Sequence, residues 1–436
     1  MLGHSSGHLT VPSPRFPLRT QPLNGGDIIE ECRWLAGKTL HDAGHSRAEA
    51  ITIEFRNLDR IKCAFGGDVA FKIEQSVAHQ FESLVRELGG QLRIERDAIG
   101  HWTVWTSQRD SFWKVLNIIK PLLLSLSFQP LDSGAFCVLP ELHTEIAEST
   151  ESNSHSSTVD HALGESRWDD RSAAAAKAFE VTVEQYKLDS IYVAALLADL
   201  QMENLVWGAR RIVSKELVDK TLYQSAKRFR ISDRGRYQAI DTELEALERM
   251  GVGRAYDVET VEWALAKLKN DPDLRLGISL MANSCQIDVW WGLHSEVLKN
   301  DPALATRLYI EIPAALKTEQ LQRAIALCEI LKALGVKIVI ADFGGKGSNL
   351  STIYTLLPDA VKISELFTRR SQSEANWRKA QDGLVALTSA FCPMVITEQS
   401  LSEPENPVAS NRHSEWVIAD TVSSLHTLRS LEPRRG

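Results

Sequence analysis

Apolar residues recur at two different periods in this chain, and the period changes from segment to segment. Near the N-terminal third, Ile51, Ile53 and Phe55 alternate with polar neighbours, the period of a half-buried strand. From Val69 to Leu88 the period becomes helical. Val77, Phe81, Leu84, Val85 and Leu88 fall on one face, and Gly89-Gly90 supplies a stop. Residues Gln91 to Arg96 and His101 to Thr106 predict a hairpin turning near Asp97 to Gly100, and Asp110 to Leu126 predicts a second helix. A further helical pattern at Ile28 to Leu40 precedes them. Strand, helix, hairpin and helix in this order form an α+β pattern.

Further along, short apolar runs alternate with amphipathic helices. Strands are predicted at Leu276 to Leu280, Leu308 to Ile312, Val336 to Ile340, Ala360 to Ile363, Met394 to Ile396 and Trp416 to Ile418. Between two of them, Thr318 to Leu334 places Leu321, Ala324, Ile325, Cys328 and Leu331 on a buried stripe, with Thr318 as N-cap and Gly335 as terminator. Serial strand–helix repetition over this length suits a (β/α)8 barrel, although a doubly wound sheet gives similar local signals. Ser-, Asp- and Glu-rich sequence separates the two patterned regions. The expected organisation is a disordered tail at 1–25, an α+β unit at 26–146, a polar linker at 147–185 and a barrel at 186–436.

Composition narrows the functional classes. Of 436 residues, 44% are hydrophobic and 24% charged, ordinary for a globular chain, and the net charge of -8 gives no overall attraction to nucleic acid or anionic membrane. The six cysteines form no CxxC pair, which argues against a zinc site or a disulfide framework. The most apolar stretch, Val115 to Phe128, is interrupted by Lys120 and Pro121 and falls short of the ~20 residues a membrane span needs. No transmembrane segment and a cytoplasmic location are therefore expected. Trp290-Trp291 is read as core.

In a parallel barrel, functional side chains gather at the C-terminal ends of the strands. Glu311, Asp342, Lys362 and Glu398 occupy four such ends. Each alone is more often a solvated loop residue or a cap. Together, carboxylates plus a lysine are the inventory of a metal-assisted phosphoryl site. Gly344-Gly345-Lys346-Gly347-Ser348 lacks P-loop spacing and reads as a loop. The basic run Lys227-Arg228-Phe229-Arg230 with Arg234 and Arg236 reads as a solvated loop beside the barrel mouth.

These residues sit in segments that resemble the EAL family of cyclic di-GMP phosphodiesterases. Ala341-Asp342-Phe343-Gly344-Gly345-Lys346-Gly347-Ser348-Asn349-Leu350 resembles the family's Asp-Asp-Phe-Gly-Thr-Gly-Tyr-Ser-Ser-Leu. Leu357-Pro358-Asp359-Ala360-Val361-Lys362-Ile363-Ser364 is similar to Leu-Pro-Val-Asp-x-Leu-Lys-Ile-Asp, and Tyr309-Ile310-Glu311-Ile312-Pro313-Ala314 to Leu-Glu-Ile-Thr-Glu. Tyr223-Gln224-Ser225-Ala226-Lys227-Arg228 stands in the place of Tyr-Glu-Ala-Leu-Leu-Arg, and Glu398 in that of Ala-Glu-Gly-Val. The resemblance runs from about residue 186 to the C-terminus. It implies a TIM-like barrel that holds two divalent cations for hydrolysis of a cyclic dinucleotide.

The departures from the family pattern fall on its ligands. Gln224 replaces the naming glutamate, Ser279 an asparagine, Ala341 the first of paired aspartates, Ser364 the Lys-Ile-Asp aspartate and Ala314 the second glutamate of Leu-Glu-Ile-Thr-Glu. Hard cations need charged oxygen ligands, so loss of several at once removes most of the metal-held transition-state stabilisation. The N-terminal unit is similar, with weaker motifs, to GGDEF diguanylate cyclases over residues 46 to 142. There Asn57 stands at the first metal aspartate, and Gly100-His101 replaces the acidic pair of the hairpin. An unrelated α+β regulatory unit remains open.

The expected function is a catalytically silent signalling protein of the cyclic di-GMP family, a receptor or a protein-interaction scaffold. No catalytic residue and no metal are expected, with magnesium or manganese only if phosphodiesterase activity persists. Arg228, Glu311, Asp342 and Lys362 would hold cyclic di-GMP in the receptor version. A protein partner is the alternative way to act. A weak phosphodiesterase with a re-routed metal site built from Glu311, Asp342 and Glu398, and a nucleic-acid or RNA-decay adaptor using the basic run, are the competing readings.

Overall fold

The computed structural model describes residues 49–87, 92–106, 112–128, 131–132, 137–148, 183–202, 204–214, 220–231, 237–398 and 416–418. The helix expected at Ile28 to Leu40 and most of the polar linker lie outside them.

The N-terminal unit is built on a four-stranded antiparallel sheet. Strands β1 (Glu49–Phe55), β2 (Leu92–Ala98), β3 (His101–Thr106) and β6 (Leu142–Glu148) lie in the order β2-β3-β1-β6; the short β4 (Leu131–Asp132) and β5 (Cys137–Val138) pair with each other. Helix α2 (Gly67–Glu87) buries Val77 and Phe81, and α3 (Phe112–Phe128) buries Ile119, Leu123 and Leu126, in one core with Ile51, Ile53 and Phe55 of β1. The period-two and period-3.6 stripes of the sequence thus meet face to face. Helix α1 (Leu58–Phe65) was not expected. It follows β1 directly and buries Leu58, Ile61 and Ala64, an i, i+3, i+6 spacing that was legible but short.

Helix α4 (Val183–Gln201) leads into the second unit, where β7 (Leu205–Ser214), β8 (Thr221–Ile231), β10 (Leu276–Ser279), β11 (Leu308–Pro313), β12 (Lys337–Phe343), β13 (Ala360–Ile363), β14 (Val395–Glu398) and β15 (Trp416–Ile418) follow. The sheet closes because β10 pairs with β8 as well as with β11, making an eight-membered ring to which β9 (Tyr237–Ala239) adds outside, on β8. Seven of the ring strands run parallel. Strand β7 is antiparallel to both β8 and β15, so the barrel is not the uniform parallel ring that the strand–helix repeat suggests. The reason is local: β7 and β8 are consecutive antiparallel strands only a few residues apart in sequence, too few for the crossover that a parallel pair needs.

Helices α5 (Asp241–Met250), α6 (Arg254–Asn270), α7 (Val289–Asn300), α8 (Pro302–Ala305), α9 (Thr318–Ala333), α10 (Leu350–Leu356), α11 (Glu365–Ser373) and α12 (Ala375–Ser389) cover the outside. The expected cap of α9 is displaced by one residue. Lys317 is the N-cap, its N–H donating to Gln320 Oε1 at 2.9 Å, and Thr318 opens the helix. Gly335 ends it with φ +97, as its lack of a side chain permits. The strand residues facing these helices, among them Leu276, Ile278, Ile310, Ile312, Ile338, Ile340 and Val361, form the larger core. Trp290 and Trp291 are both buried, Trp290 in the core shared with the N-terminal unit and Trp291 in that of the barrel. No helix among the described residues is long and apolar enough to cross a membrane.

The two units are joined by more than the chain. Arg60 Nη1 donates to the carbonyls of Arg249 and Met250 at the C-terminal end of α5, both at 3.3 Å, a cation placed where the helix dipole is negative. Lys120 of α3 pairs with Glu262 of α6 and lies over the Trp290 ring.

Candidate functional site

Alternation along the strands fills the barrel interior in layers. The lower layer contains Tyr223, Tyr309, Val339, Ala360, Ile396 and Trp416. Tyr223 and Tyr309 are stacked with ring centroids 4.3 Å apart. The next interior positions, one alternation nearer the C-terminal ends, are Ser225, Ser279, Glu311, Ala341 and Lys362, and this is the candidate site.

Glu311 is its centre and is 1% exposed. Its carboxylate is already committed. Oε1 accepts from Tyr223 Oη at 3.0 Å; Oε2 accepts from Ser279 Oγ at 2.8 Å and from Lys362 Nζ at 2.9 Å. Lys362 also donates to Ser225 Oγ at 3.3 Å. Burial by itself would raise the Glu311 pKa, but the Lys362 ammonium and the surrounding donors outweigh it and hold the carboxyl at about 2. Tyr223, buried against the same carboxylate, is pushed upward and stays a neutral donor. Gly277 makes room for this arrangement, since a Cβ there would overlap the Tyr223 ring and lie 3.3 Å from Glu311 Oε1.

The other expected site residues separate into two groups. Asp342 sits at a register break of β12, with φ +57, exposed, its carboxylate folded over Gly345, where a Cβ would overlap it. Glu398 ends β14 in backbone register with Ile418. Arg228 lies on the opposite face of β8. It is 7% exposed, stacks on Trp207 and Tyr256 at 4.6 and 5.0 Å from the ring centroids, and pairs with Glu259 at 3.2 Å. Gln224 shares that outward face by strand alternation, with Ala226 between them in the helix-facing core. The structure therefore brings Glu311 and Lys362 together but leaves Arg228 on the other side of the wall. Ser225, which sequence reasoning passed over, takes the interior position of β8. Of the basic run, Lys227 to Arg230 lie in β8 and not in a loop, Arg230 being held by Asp199 and Glu243 at 2.5 and 2.7 Å, while Arg234 and Arg236 lie outside the described residues.

The positions expected to depart from the family pattern have structural partners. Ser279 is a ligand of Glu311, as above. Ala314 is buried, and its backbone bonds the neighbouring segments through Ala341 O and Asn349 N. Ser364 is buried at the N-cap of α11. In the N-terminal unit, buried Asn57 donates to Leu139 O and accepts from Glu141 N, both at 2.8 Å. Gly100 turns the hairpin with φ +73, and exposed His101 opens β3.

The fit to a pair of divalent cations is poor. Both Glu311 oxygens are bonded within the protein, Ala341 offers no ligand atom, and Ser279 and Ser364 bring hydroxyls where hard cations favour charged oxygens. Among the described residues no three His, Cys, Asp or Glu side chains gather as a metal-binding group.

Residues 220–399 match the family model described as EAL domain. Uncharacterized proteins of Mycobacterium tuberculosis and Mycobacterium bovis are 28% identical over 152 residues, which is 35% of this chain and 24% of theirs, so the match spans about a quarter of those relatives. Among solved structures, the Vibrio cholerae LapD S helix-GGDEF-EAL protein in its apo form is similar at TM-score 0.45 and 14% identity, over 90% of this chain and 91% of that one. The EAL enzyme Bd1971, in its cAMP- and cyclic-di-GMP-bound form, is similar at TM-score 0.48 and 14% identity, over 68% and 82%. The family match covers residues 220–399, the barrel segment from β8 to β14, which is thus similar to EAL domains.

Proposed function

We propose that this barrel does not hydrolyse cyclic di-GMP and acts as an interaction scaffold in cyclic di-GMP signalling. One observation carries the reading: Glu311, the best placed of the acidic groups, is saturated by Lys362, Ser279 and Tyr223. A cation could enter only by breaking those bonds and expelling the ammonium that neutralises the carboxylate. Loss of ligand atoms at Ala341 and Ala314 points the same way. The placement of Arg228 favours the scaffold over a nucleotide receptor, because its guanidinium is held by Glu259 and two aromatic faces outside the barrel wall. The N-terminal unit, whose Asn57 and Gly100 are occupied with folding, is a regulatory module of GGDEF descent in this reading.

The test uses the full chain with cyclic di-GMP and Mg²⁺ or Mn²⁺. No linear dinucleotide is expected to form above the uncatalysed background. Turnover near ~1 s⁻¹ or faster, the ordinary enzyme range, overturns the proposal. Calorimetric titration of the same protein with cyclic di-GMP then separates scaffold from receptor: no heat supports the scaffold, and micromolar binding lost in Lys362→Ala makes it a receptor.

A further inference from the structure

Two carboxylates from consecutive helices converge on one short turn outside the barrel interior. After β10 the chain makes a 3-10 turn at Ala282–Ser284. Asp257 of α6 accepts from Met281 N through Oδ2 at 2.8 Å, and Glu248 of α5 accepts from Asn283 N through Oε1 at 3.3 Å. Those two N–H groups are two residues apart, at most about 7 Å, so both side chains gather over the same turn. Each carboxylate then has one oxygen left over. Asp257 Oδ1 and Glu248 Oε2 are sealed from solvent and meet no hydrogen-bond partner, and neither does Ser284 Oγ in the turn itself. Asp257 and Ser284 are 1% and 0% exposed. The groups lie close enough to act on one another. Burial raises Glu248 to about 7, with Asp257 adding to it, and burial raises Asp257 to about 6, with Ser284 opposing.

Three buried oxygens without donors, two of them on acids, call for a positive ligand. The basic side chains nearby do not supply it. Arg254 gives Nε and Nη2 to Asp288, at 2.6 and 2.7 Å, and Lys317 only moderates Glu248. Glu141, which Glu248 also influences, adds further negative charge. Arg254 Nη1 is buried without a partner too, so a water shared by Arg254 and Asp257 is the competing occupant. Water would leave both charges unbalanced, whereas a divalent cation cancels them. We propose that Glu248, Asp257 and Ser284 form a binding site for a hard divalent cation of the calcium kind. Two carboxylates and a hydroxyl, set by a turn and two helices, suit Ca²⁺, which accepts irregular geometry, better than Mg²⁺, which demands a near-ideal octahedron. Water completes the shell, and the half-buried Glu248 leaves a path for entry. The cation would clamp α5, α6 and the turn after β10. It would thereby tie the strand whose Ser279 bonds Glu311 to the helix end that receives Arg60 of the N-terminal unit.

Thermal unfolding and calorimetric titration of the full chain, stripped of metal and held at pH 8 so that both acids are ionised, test it. CaCl₂ at about 5 mM is expected to raise the melting temperature by about 2–4 °C, and MgCl₂ to raise it less. Asp257→Asn keeps an acceptor for Met281 N but removes one charge, and should abolish the rise. Ser284→Ala, which removes only the hydroxyl, should weaken calcium binding about 10-fold. A parent chain that gives neither heat nor shift with Ca²⁺ holds only water there, and a shift undiminished in Asp257→Asn puts the cation elsewhere, the barrel interior included. Either result overturns the proposal. If Asp257→Asn does not fold, Ser284→Ala decides, and an unchanged calcium affinity in that variant overturns it.

Discussion

Lys362 reaches from β13 to β11 inside the barrel and sets its Nζ 2.9 Å from Glu311 Oε2, in a position where both side chains are almost wholly buried. Two charges in that environment depend on each other. Removing one partner leaves the other buried and uncompensated, which is far more destabilising than removing both.

Lys362→Met is therefore expected to lose ~3–5 kcal/mol of stability at neutral pH. The double variant with Glu311→Gln should recover much of it. Urea unfolding of both variants at pH 7 measures the difference. Equal destabilisation of single and double variants would show that the pair is not coupled.

The same carboxylate predicts an acid limb of stability. Its folded pKa of about 2 lies below the ordinary value of 4.5, so its contribution is complete above 4.5 and disappears as pH falls towards 2. A shift of that size corresponds to about 3 kcal/mol. In Glu311→Gln the dependence of unfolding free energy on pH between those values should be shallower.

A second group of carboxylates works in the opposite direction at the junction of the two units. Burial raises Glu141 and Glu248 from 4.5 to about 7. Arg60 and Arg56 oppose the shift at Glu141, while Glu54 and Glu248 reinforce it; at Glu248, Asp257 reinforces it and the Asn283 and Ala282 backbone bonds and Lys317 oppose it. Folded pKa values above the unfolded ones favour the protonated fold, so this contribution is full below 4.5 and is lost as pH rises through 7. The melting temperature should fall between pH 5 and pH 8, and Glu141→Gln should flatten that fall.

Asn57→Asp tests why an amide stands where the GGDEF resemblance has a metal-binding aspartate. The amide both donates to Leu139 O and accepts from Glu141 N. A carboxylate can only accept, would face the Leu139 carbonyl, and would add a charge to a fully buried position. A loss of ~2–4 kcal/mol is expected in thermal or urea unfolding at pH 7.

Gly277→Ala should destabilise by ~1–3 kcal/mol, because its methyl group would overlap the Tyr223 ring beneath Glu311. The check is the unfolding midpoint, with Tyr223→Phe/Gly277→Ala expected to gain nothing, since the clash is with ring carbons.

The sequence alone determined the elements whose signal is local. Period-two alternation located β1 and the β2–β3 hairpin, apolar runs bounded by turn residues located β10 to β15, and Gly335 marked the end of α9. It also brought Glu311 and Lys362 to one mouth, because both lie at strand ends and strand ends converge in a barrel. Only the tertiary structure decided which face of β8 looks inward. A shift of one residue in a strand exchanges its two faces, and the motif at Tyr223 to Arg228 has polar groups on both, so its hydrophobicity could not fix the choice. The fold resolved it by placing Tyr223 and Ser225 beside Glu311 and Lys362, and Arg228 between Trp207, Tyr256 and Glu259. These partners come from strands and helices far apart in sequence, and no local pattern records them. The antiparallel entry of β7 was hidden for a related reason: hairpin and crossover pairings use similar strands, and the difference lies in the path of the chain between them.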